Sequence, residues 1–580
     1  MPGEWTLVWD ELRAGLEAAL KAAGLWSPDR LARLELAIPR DPSHGDWTTN
    51  VAMTMAKAAG KPPRAIAEVL AEHFPKGGLF RAVEVAGPGF LNLRYSDAFL
   101  AALPGRILSE GAAFGRSSQG GGESILVEYV SANPTGPMNI VSARAAAVGS
   151  TLTRVLDAAG FAASSEFYVN DAGNQVDLLG ESVAVRFAER IGVARELPPE
   201  GYRGTYLHDV AAGIPEAEGR AQLDAPNGSR WFRDQALGRM ITWQRHDLER
   251  YGVTFDRWFL ESTMHESGAV GATLEALRAR DAIYQATRPE GVTEAGEARA
   301  KDAEGGGEAT WLRTTPHGDD MDRVIVRSDG RPTYLLPDIA YHRDKRERGF
   351  RHAINLWGPD HHAYVKTMAA ALAALGLEPD FLEVIIVQQV NLLRQGQEVK
   401  MSKRAGEFVT LSDLVDEVGP DCAKFFFLMR STSSHLDFDL TLAAQQNDEN
   451  PAFYVQYAHA RIASVLRVGS ERGLLPAEGE GAPLSDPAEL ALIRKLSTFP
   501  EIVRGAAMAR EPHRIPTYLI ETAAEFHRFY HECRVVSEDT ALSRNRLRLC
   551  ASASQVLRNG LALMGVSAPE RLERAAETPA

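Results

Sequence analysis

Two lysines three residues apart, Lys400 and Lys403, are the pair in this sequence most suggestive of chemistry. They enclose Met401 and Ser402, and the segment continues into Arg404-Ala-Gly-Glu-Phe-Val-Thr410. A lysine places a point charge on a flexible stem, so two on one glycine-containing loop can reach the same polyphosphate. There they would offset the charge that develops on an α-phosphate and on departing pyrophosphate. A solvated basic loop is the alternative, and the surrounding sequence has to decide between the two.

A turn after an apolar strand is a second candidate for phosphate binding. The turn Ser131–Pro137 contains two prolines and a glycine, which neither a helix nor a strand tolerates. Backbone amides of such a turn and of the helix that follows favour an anion. The candidate contacts are Pro134, Thr135, Gly136, Pro137, Asn139 and Ser142. Any connection from a strand to a helix uses glycine and proline, so the turn alone is a weak indication.

Carboxylates, amides and an aromatic residue recur near the predicted ends of strands. This set comprises Glu128, Asn133, Asn170, Asp171, Tyr334 and Asp338. Two carboxylates beside an aromatic ring suit a planar guanidinium, which they hold by forked hydrogen bonds and stacking. Each residue alone is more typical of a helix cap or a surface position, so the hypothesis requires that several of them meet in the fold.

Two adjacent polar residues, Asp360 and His361, stand in the segment Trp357-Gly-Pro-Asp-His-His362 after a predicted strand. They could contact a nucleotide or bind a metal. Their spacing fits a single turn rather than paired ligands on a helix, which favours the nucleotide. We therefore expect no resident metal.

The segment Asn450–Ile462 interleaves aromatic, amide and basic side chains. Its candidate RNA contacts are Asn450, Tyr454, Gln456, Tyr457 and Arg461. Aromatic rings can stack on unpaired bases, and amide or guanidinium groups can bind base edges. A helix that packs its aromatic rings into a core gives the same pattern, and the residues alone favour that alternative.

The elements that must position these groups begin with a strand, a turn, a helix and a second strand. We predict strands over Ser124–Val130 and Ala163–Val169 and a helix over Ala143–Ala159. This order indicates a right-handed crossover within a parallel sheet, whose ligands bind beyond the carboxyl ends of the strands. Further strand-like segments are Asp322–Arg327, His352–Trp357 and Leu382–Gln388.

The composition is that of an ordinary globular protein, with 45% hydrophobic and 24% charged residues. The net charge of -14 gives no general reason to expect nucleic acid, although basic residues cluster at 342–348, 400–404 and 544–548. The three cysteines are too far apart for a zinc clip or a disulfide framework. The sequence shows neither a signal peptide nor a long apolar run, so we expect a cytoplasmic protein without a membrane span.

Several blocks in one order resemble the arginyl-tRNA synthetase family, class I aminoacyl-tRNA synthetases of bacterial type. The blocks are Pro42–Asn50, Val85–Leu93, Ser131–Pro137, Val169–Asn174, Tyr334–Asp338, Gly358–His362, Lys400–Lys403, Asn450–Ile462 and Leu547–Gly565. The resemblance implies an α/β fold with a Rossmann-like parallel-sheet catalytic domain, an α+β N-terminal domain and an all-α C-terminal anticodon-binding domain. We place these domains at residues 123–418, with an insertion at about 176–320, at 1–116 and at 419–580.

The resemblance further implies an enzyme that activates L-arginine with ATP and transfers it to the 3′ end of tRNA(Arg). Glu128, Asn133, Tyr334 and Asp338 would bind arginine, with Glu128 and Asp338 as the guanidinium partners. Lys400 and Lys403 would stabilise the transition state, and Mg²⁺ would arrive with ATP. The family also suggests a monomer.

One block departs from the family pattern. Class I enzymes normally carry His-x-Gly-His after this turn, whereas this chain reads Asn139-Ile-Val-Ser142. Asn139 and Ser142 can still donate hydrogen bonds, but they carry no positive charge. An active enzyme is therefore one hypothesis, and a non-catalytic paralogue that binds RNA or arginine is the alternative. The intact lysine motif favours the active enzyme.

Overall fold

The computed structural model describes residues 8–27, 36–39, 41–75, 77–287, 307–399, 409–478 and 484–572. Lys400, Met401, Ser402 and Lys403 lie outside the described residues. No helix in these ranges combines the length and apolar character needed to cross a membrane.

The N-terminal region is a four-stranded antiparallel sheet with helices packed on it, in the strand order β1-β2-β4-β3. Its strands are β1 Leu36–Ala37, β2 Trp47–Thr49, β3 Phe80–Ala86 and β4 Phe90–Tyr95, and its helices are α1 Val8–Ala22, α2 Val51–Ala59, α3 Pro63–His73 and α4 Asp97–Glu110. Helix α1 buries Leu12, Leu16 and Leu20, whose fourfold spacing places them on one face. The region is fixed to the C-terminal helices by the ion pair of Asp46 Oδ1 with Arg494 Nε, at 2.7 Å. The predicted α+β class is confirmed here.

The central sheet has five parallel strands in the order β12-β11-β5-β6-β7. Its first unit is β5 Ser124–Glu128, α5 Ile140–Ala158 and β6 Ala162–Val169, which confirms the predicted crossover. The chain leaves β5 towards β6 and returns on its other side at β11, so the order reverses between β5 and β11. Ligands of open α/β sheets bind at such a reversal, beyond the carboxyl ends of the strands.

The excursion after β6 is mainly helical, but it returns one strand to the central sheet. Its elements are α6 Asn174–Arg190, α7 Tyr206–Ala212, α8 Glu216–Gln222, α9 Gly228–Arg250, β7 Arg257–Leu260, α10 Glu261–Glu266, α11 Ala269–Ala279, β8 Ile283–Ala286, β9 Ala309–Leu312 and β10 Arg323–Val326. Strand β7 pairs in parallel with β6 at the sheet edge. The predicted strand at 322–327 is confirmed as β10, yet it lies in a separate antiparallel sheet with β9 and β8.

The remainder of the chain completes the sheet and then becomes helical. The catalytic-region elements are α12 Leu335–Glu347, β11 His352–Trp357, α13 His362–Leu375 and β12 Leu382–Ile386. A small sheet follows, with β13 Val390–Arg394, β14 Gln397–Glu398 and β15 Leu436–Asp439. The helices are α14 Leu411–Val418, α15 Pro420–Leu428, α16 Leu440–Ala443, α17 Pro451–Glu471, α18 Pro487–Ser497, α19 Phe499–Met508, α20 Arg514–Glu532 and α21 Thr540–Met564. The predicted helical C-terminal region is thereby confirmed, with β15 as an added strand.

A fully buried arginine ties α5 to the junction between the central sheet and the small sheet. Arg144 donates to the carbonyl oxygens of Gln388 (2.7 Å), Ser431 (2.9 Å) and Ser434 (3.0 Å). Burial lowers the pKa of its guanidinium to about 10. The three carbonyls repay part of this desolvation, and Arg144 thereby fixes the start of the helix that follows the turn Ser131–Pro137.

Replacing this arginine should destabilise the protein. Arg144→Met leaves three carbonyls without their donor, and we expect the melting temperature to fall by about 5 °C or more. Arg116→Met is the matched control, because Arg116 is half-exposed and its ion pair with Asp157 is a surface one. Equal melting temperatures for the two variants would contradict this role of Arg144.

Candidate active site

An unusual turn at the end of β5 starts the site. Val130 and Ser131 have backbone φ of 70° and 41°, a left-handed conformation that costs energy in residues other than glycine. The turn brings the Ser131 hydroxyl back to Glu128, where it donates to Oε1 at 3.0 Å. The same oxygen of Ser131 accepts from the backbone N–H of Tyr168 at 3.2 Å. These bonds fix the carboxyl ends of β5 and β6 relative to each other.

Asp338 supplies a buried carboxylate from the first turn of α12. The Tyr364 hydroxyl donates to its Oδ2 at 2.7 Å. Burial, with smaller contributions from the charges of Glu261 and Glu128, raises the pKa of Asp338 to about 7, and the Tyr364 hydrogen bond and Lys345 act in the opposite direction. The predicted carboxylate is therefore in place, and it senses two other carboxylates nearby.

The third carboxylate, Glu261, was missed by the sequence analysis. It follows β7 directly and contacts the Tyr168 hydroxyl, whose pKa is raised by burial first and then by Glu261. In the orientation that satisfies its neighbours, the Asn170 amide donates to Glu261 Oε2 at 3.0 Å. The sequence did contain a signal for Glu261. The short run Arg257-Trp-Phe-Leu260 is followed directly by this glutamate, just as the apolar run of β5 is followed by Glu128.

A buried lysine lies behind the three carboxylates. Lys345 has no exposed side-chain surface, and its Nζ donates to Glu128 Oε2 at 2.5 Å and to Asn355 Oδ1 at 2.9 Å. Both oxygens of Glu128 are thus engaged, one by Lys345 and one by Ser131. Glu128 lies where a guanidinium partner was expected, but Asp338, which accepts from Tyr364 through Oδ2, is the more open of the two predicted carboxylates.

His342 completes the wall of the pocket as a neutral group. Burial, followed by the charge of Lys345, lowers the pKa of its imidazole to about 3. Nδ1 lies 2.8 Å from the carbonyl oxygen of Asp338, and Nε2 lies 3.1 Å from the Asn355 amide nitrogen. The ring therefore helps to fix the backbone at Asp338 without adding charge.

Two of the predicted arginine contacts lie at the mouth of this pocket. Tyr334 is 66% exposed and its ring centre is 5.5 Å from that of Tyr364. Asn133 is exposed and donates through Nδ2 to Gln175 Oε1 at 2.7 Å. Tyr334 can therefore cover a ligand bound at Asp338, whereas the Asn133 amide is already held by Gln175.

Asn139 acts as the N-cap of α5. Its Oδ1 accepts from the backbone N–H groups of Val141 (3.0 Å) and Ser142 (3.1 Å). Two amides that were expected to face an anion are therefore taken by a side chain, and Asn139 can donate only through Nδ2. The Ser142 hydroxyl lies 3.4 Å from the same Oδ1.

The described residues on either side of 400–408 show where that segment is anchored. Val399 donates its N–H to the carbonyl of Leu392 on β13 at 2.8 Å. On the far side, Thr410 pairs with Asn139, and Leu411 donates to the carbonyl of Met138 at 2.8 Å. The described flank at Thr410 and Leu411 is thereby adjacent to Asn139.

Asp360 and His361 form a short turn directly after β11. Both side chains are exposed, and His361 Nε2 lies 3.5 Å from Asp360 Oδ2. They stand at the same sheet edge as Asp338, so a nucleotide lying along this edge can reach them. No group of three or more potential metal ligands occurs within the part of the chain that the structure describes.

The C-terminal helices enclose a groove of about 900 Å³ that is rich in arginine. The arginines that line it are Arg461, Arg467, Arg472, Arg534 and Arg571. The Arg461 guanidinium lies between the rings of Tyr457 (4.9 Å) and Tyr530 (5.3 Å) and donates to the Tyr457 hydroxyl. Two of the five predicted RNA contacts, Tyr457 and Arg461, therefore face a cationic and aromatic surface.

The other three predicted RNA contacts serve the fold. Asn450 is 3% exposed and caps α17, where its side chain accepts from the N–H groups of Ala452 and Phe453. The amide at this position satisfies the helix end, and a contact of Asn450 with RNA stays a prediction. Gln456 donates to Asp421 and Ser567, and the Tyr454 ring packs 5.1 Å from His527.

Comparison with known proteins covers the whole chain. Residues 105–425 match the class I (R) tRNA synthetase catalytic domain, 10–95 the arginyl tRNA synthetase N-terminal domain, and 455–572 the DALR anticodon binding domain. The arginine–tRNA ligase of Bacillus subtilis (strain 168) is 42% identical over 97% of this chain and 99% of its own, and that of Symbiobacterium thermophilum is 45% identical over 97% and 98%. The arginyl-tRNA synthetase structure from Thermus thermophilus superposes with a TM-score of 0.74 at 21% identity, over 98% of this chain and 100% of its own. The chain belongs to the arginyl-tRNA synthetase family.

Proposed function

We propose that this chain is an active arginine–tRNA ligase. With ATP it converts L-arginine to arginyl-adenylate, and it then transfers the arginine to the 3′ end of tRNA(Arg), releasing AMP and pyrophosphate. The observation that carries the proposal is the meeting of Asp338, Glu261 and Glu128 at the carboxyl edge of the sheet. This pocket is built for a planar cation, and its position next to the turn at 131–137 places that cation beside the proposed ATP site.

The pocket selects arginine by charge and shape. A guanidinium presents five donors in a rigid fork, and a carboxylate accepts two of them side by side. Asp338 and Glu261 supply such acceptors, and Tyr334 offers a ring on which the planar group stacks. Glu128 lies at the floor of the pocket, where its bond to Lys345 holds its carboxylate in position. Asn133 lies at the entrance, where the α-amino end of the amino acid would emerge.

Activation itself needs positioning and electrostatics. The arginine carboxylate attacks the α-phosphate, pyrophosphate leaves, and no covalent enzyme intermediate forms. Lys400 and Lys403 would offset the developing charge, with Met401 and Ser402 close to the nucleotide. The other proposed ATP contacts are Pro134, Thr135, Gly136, Pro137, Asn139, Ser142, Asp360 and His361. Mg²⁺ would arrive as part of the substrate, bound by the phosphates and water.

The arginine-lined groove is the proposed contact for the anticodon region of tRNA. Arg461 contacts the rings of both Tyr457 and Tyr530, and the exposed Tyr530 ring offers a face on which a splayed base can stack. We assign residues 1–116 to tRNA recognition, 123–418 to catalysis with its insertion at about 176–320, and 419–580 to anticodon binding. We also propose that the enzyme is a cytoplasmic monomer.

The alternative, a non-catalytic paralogue that binds RNA or arginine, rested on the altered block Asn139–Ser142. Identity of 42–45% to curated arginine–tRNA ligases along the whole chain supports the active enzyme instead.

The proposed activity predicts arginylation of tRNA(Arg) that depends on Lys403. Lys403→Ala should lower the rate of arginylation by about 100-fold, because it removes a charge that acts in the transition state. Asn139→Ala should lower it about tenfold through loss of the N-cap and of a phosphate donor. Arg220→Ala is the control, since Arg220 is exposed on α8 and pairs with Glu216 in its own helix. Well-folded wild-type protein that forms no arginyl-tRNA would refute the proposal.

The pKa of Asp338 predicts how the KM for arginine depends on pH. The guanidinium remains charged, and only the ionised form of Asp338 attracts it. Because the pKa is about 7 in the empty pocket, the KM should be constant at high pH and rise as the pH falls through 7. The slope should approach about tenfold per pH unit.

Asp338→Asn should raise the KM for arginine about 100-fold and abolish this pH dependence. Asp380→Asn, at an exposed carboxylate, is the control. Initial arginylation rates over a range of arginine concentrations at each pH supply the measurement. An unchanged pH profile in Asp338→Asn would assign the dependence to another group.

The groove predicts a defect confined to tRNA. Arg461→Ala removes the guanidinium from between its two rings, and the KM for tRNA should rise about tenfold. The KM values for ATP and arginine, measured at saturating tRNA, should stay within about twofold. Arg528→Ala is the matched control, because Arg528 is exposed and pairs with Glu525 in its own helix. An unchanged KM for tRNA would remove Arg461 from the interface.

A further inference from the structure

Two side chains from the helical excursion hold the turn at 133–136. Gln244 on α9 is 1% exposed, and its Nε2 donates to the carbonyls of Asn133 and Gly136, each at 3.1 Å. Tyr206 on α7 donates through its hydroxyl to the carbonyl of Thr135 at 2.6 Å. Three carbonyls within four residues are thus satisfied by two side chains that are distant in sequence.

The turn needs such external support because its own sequence provides little. Pro134 and Pro137 have no N–H group, so the turn can form few backbone hydrogen bonds of its own. Gly136 lies directly under the Tyr206 ring, and a Cβ there would stand 3.3 Å from the ring. The shape of the turn is therefore set by Gln244 and Tyr206.

Helix α9 is itself anchored at the other side of the proposed ATP site. Near its C-terminal end, Arg250 donates to Ser412 Oγ at 2.6 Å and to Asp416 Oδ1 at 2.5 Å on α14. The first residue of α14 bonds in turn to the carbonyl of Met138. One helix consequently contacts both the turn before α5 and the helix that follows residues 400–408.

We propose that Gln244 and Tyr206 are positioning residues for ATP. They act through the carbonyls of Asn133, Thr135 and Gly136 and fix the turn against which the nucleotide binds. The inference rests on the proposed ATP site and adds a role that none of the predicted site residues fills. Asn139 and Ser142 carry no positive charge, so the phosphates depend more strongly on a correctly shaped backbone.

The test separates the substrates in the tRNA-dependent exchange of pyrophosphate into ATP. Gln244→Leu keeps the side-chain volume but removes both donated hydrogen bonds, and the KM for ATP should rise about tenfold. Tyr206→Phe removes one hydroxyl and should raise it about threefold. The KM for arginine should change by less than about twofold in both variants.

The control is Thr242→Ala on the same helix, because the Thr242 hydroxyl is exposed and bonds only to the carbonyl of Gly238 in its own helix. Melting temperatures identify a variant that does not fold. If Gln244→Leu does not fold, the KM for ATP of Tyr206→Phe decides the test. An unchanged KM for ATP, or equal increases in both KM values, would overturn the proposal. If the wild-type protein shows no exchange activity, the proposed function is overturned instead. If the KM for ATP rises in Asn139→Ala but not in the variants of Gln244 and Tyr206, only the role of these two residues is rejected.

Discussion

The buried bond between Lys345 and Glu128 is the interaction on which the active site depends. Three carboxylates lie close together in a region with little water, and unpaired buried charges cost several kcal/mol each. Lys345 balances one of them, at 2.5 Å from Glu128. Burial raises the pKa of Asp338 to about 7, and the negative charges of Glu261 and Glu128 contribute to that increase in smaller measure. A bound guanidinium would complete the balance, and a neutral side chain of the same shape would not. The proposed arginine pocket would therefore select its ligand by positive charge as well as by shape.

This charge arrangement exists only because the parallel sheet brings distant residues to one edge. Glu128 ends β5, Glu261 follows β7, and Asp338 lies in the first turn of α12. The left-handed backbone of Val130 and Ser131 costs roughly 1–3 kcal/mol per residue. The two hydrogen bonds of the Ser131 side chain offset part of that cost, and they set the spacing between the ends of β5 and β6. Strain in this turn is thus coupled to the geometry of the pocket.

Sequence patterns predicted the parts of this architecture that are local. The strand, turn, helix and strand from Ser124 to Val169 follow from hydrophobic runs and from the prolines between them. Asp338 was identified because it stands within a motif, whereas Glu261 was missed because β7 has only four residues and begins with an arginine. Lys345 was missed because its partner, Glu128, is 217 residues away and no local pattern reports such a pairing. The sequence could not show that Asn450 caps α17, because an amide before an aromatic helix can cap the helix as readily as it can bind a base.

The distribution of charge also explains how a protein of net charge -14 can bind RNA. Among the described residues, five arginines and two glutamates, Glu532 and Glu570, line the groove in the C-terminal helices. The carboxylates of the acidic pocket, by contrast, lie inside the fold: Glu128 is 7% exposed, and Asp338 and Glu261 are partly buried. Phosphates of a bound tRNA would therefore meet arginines at the surface, while the carboxylates that select the amino acid stay out of their reach. An acidic surface elsewhere would limit non-specific adhesion to RNA, since that attraction depends on the number of basic groups that neutralise phosphates. The net charge is a sum over the whole chain, whereas tRNA would contact only the arginine-lined groove. The net charge is therefore a poor guide to RNA binding here.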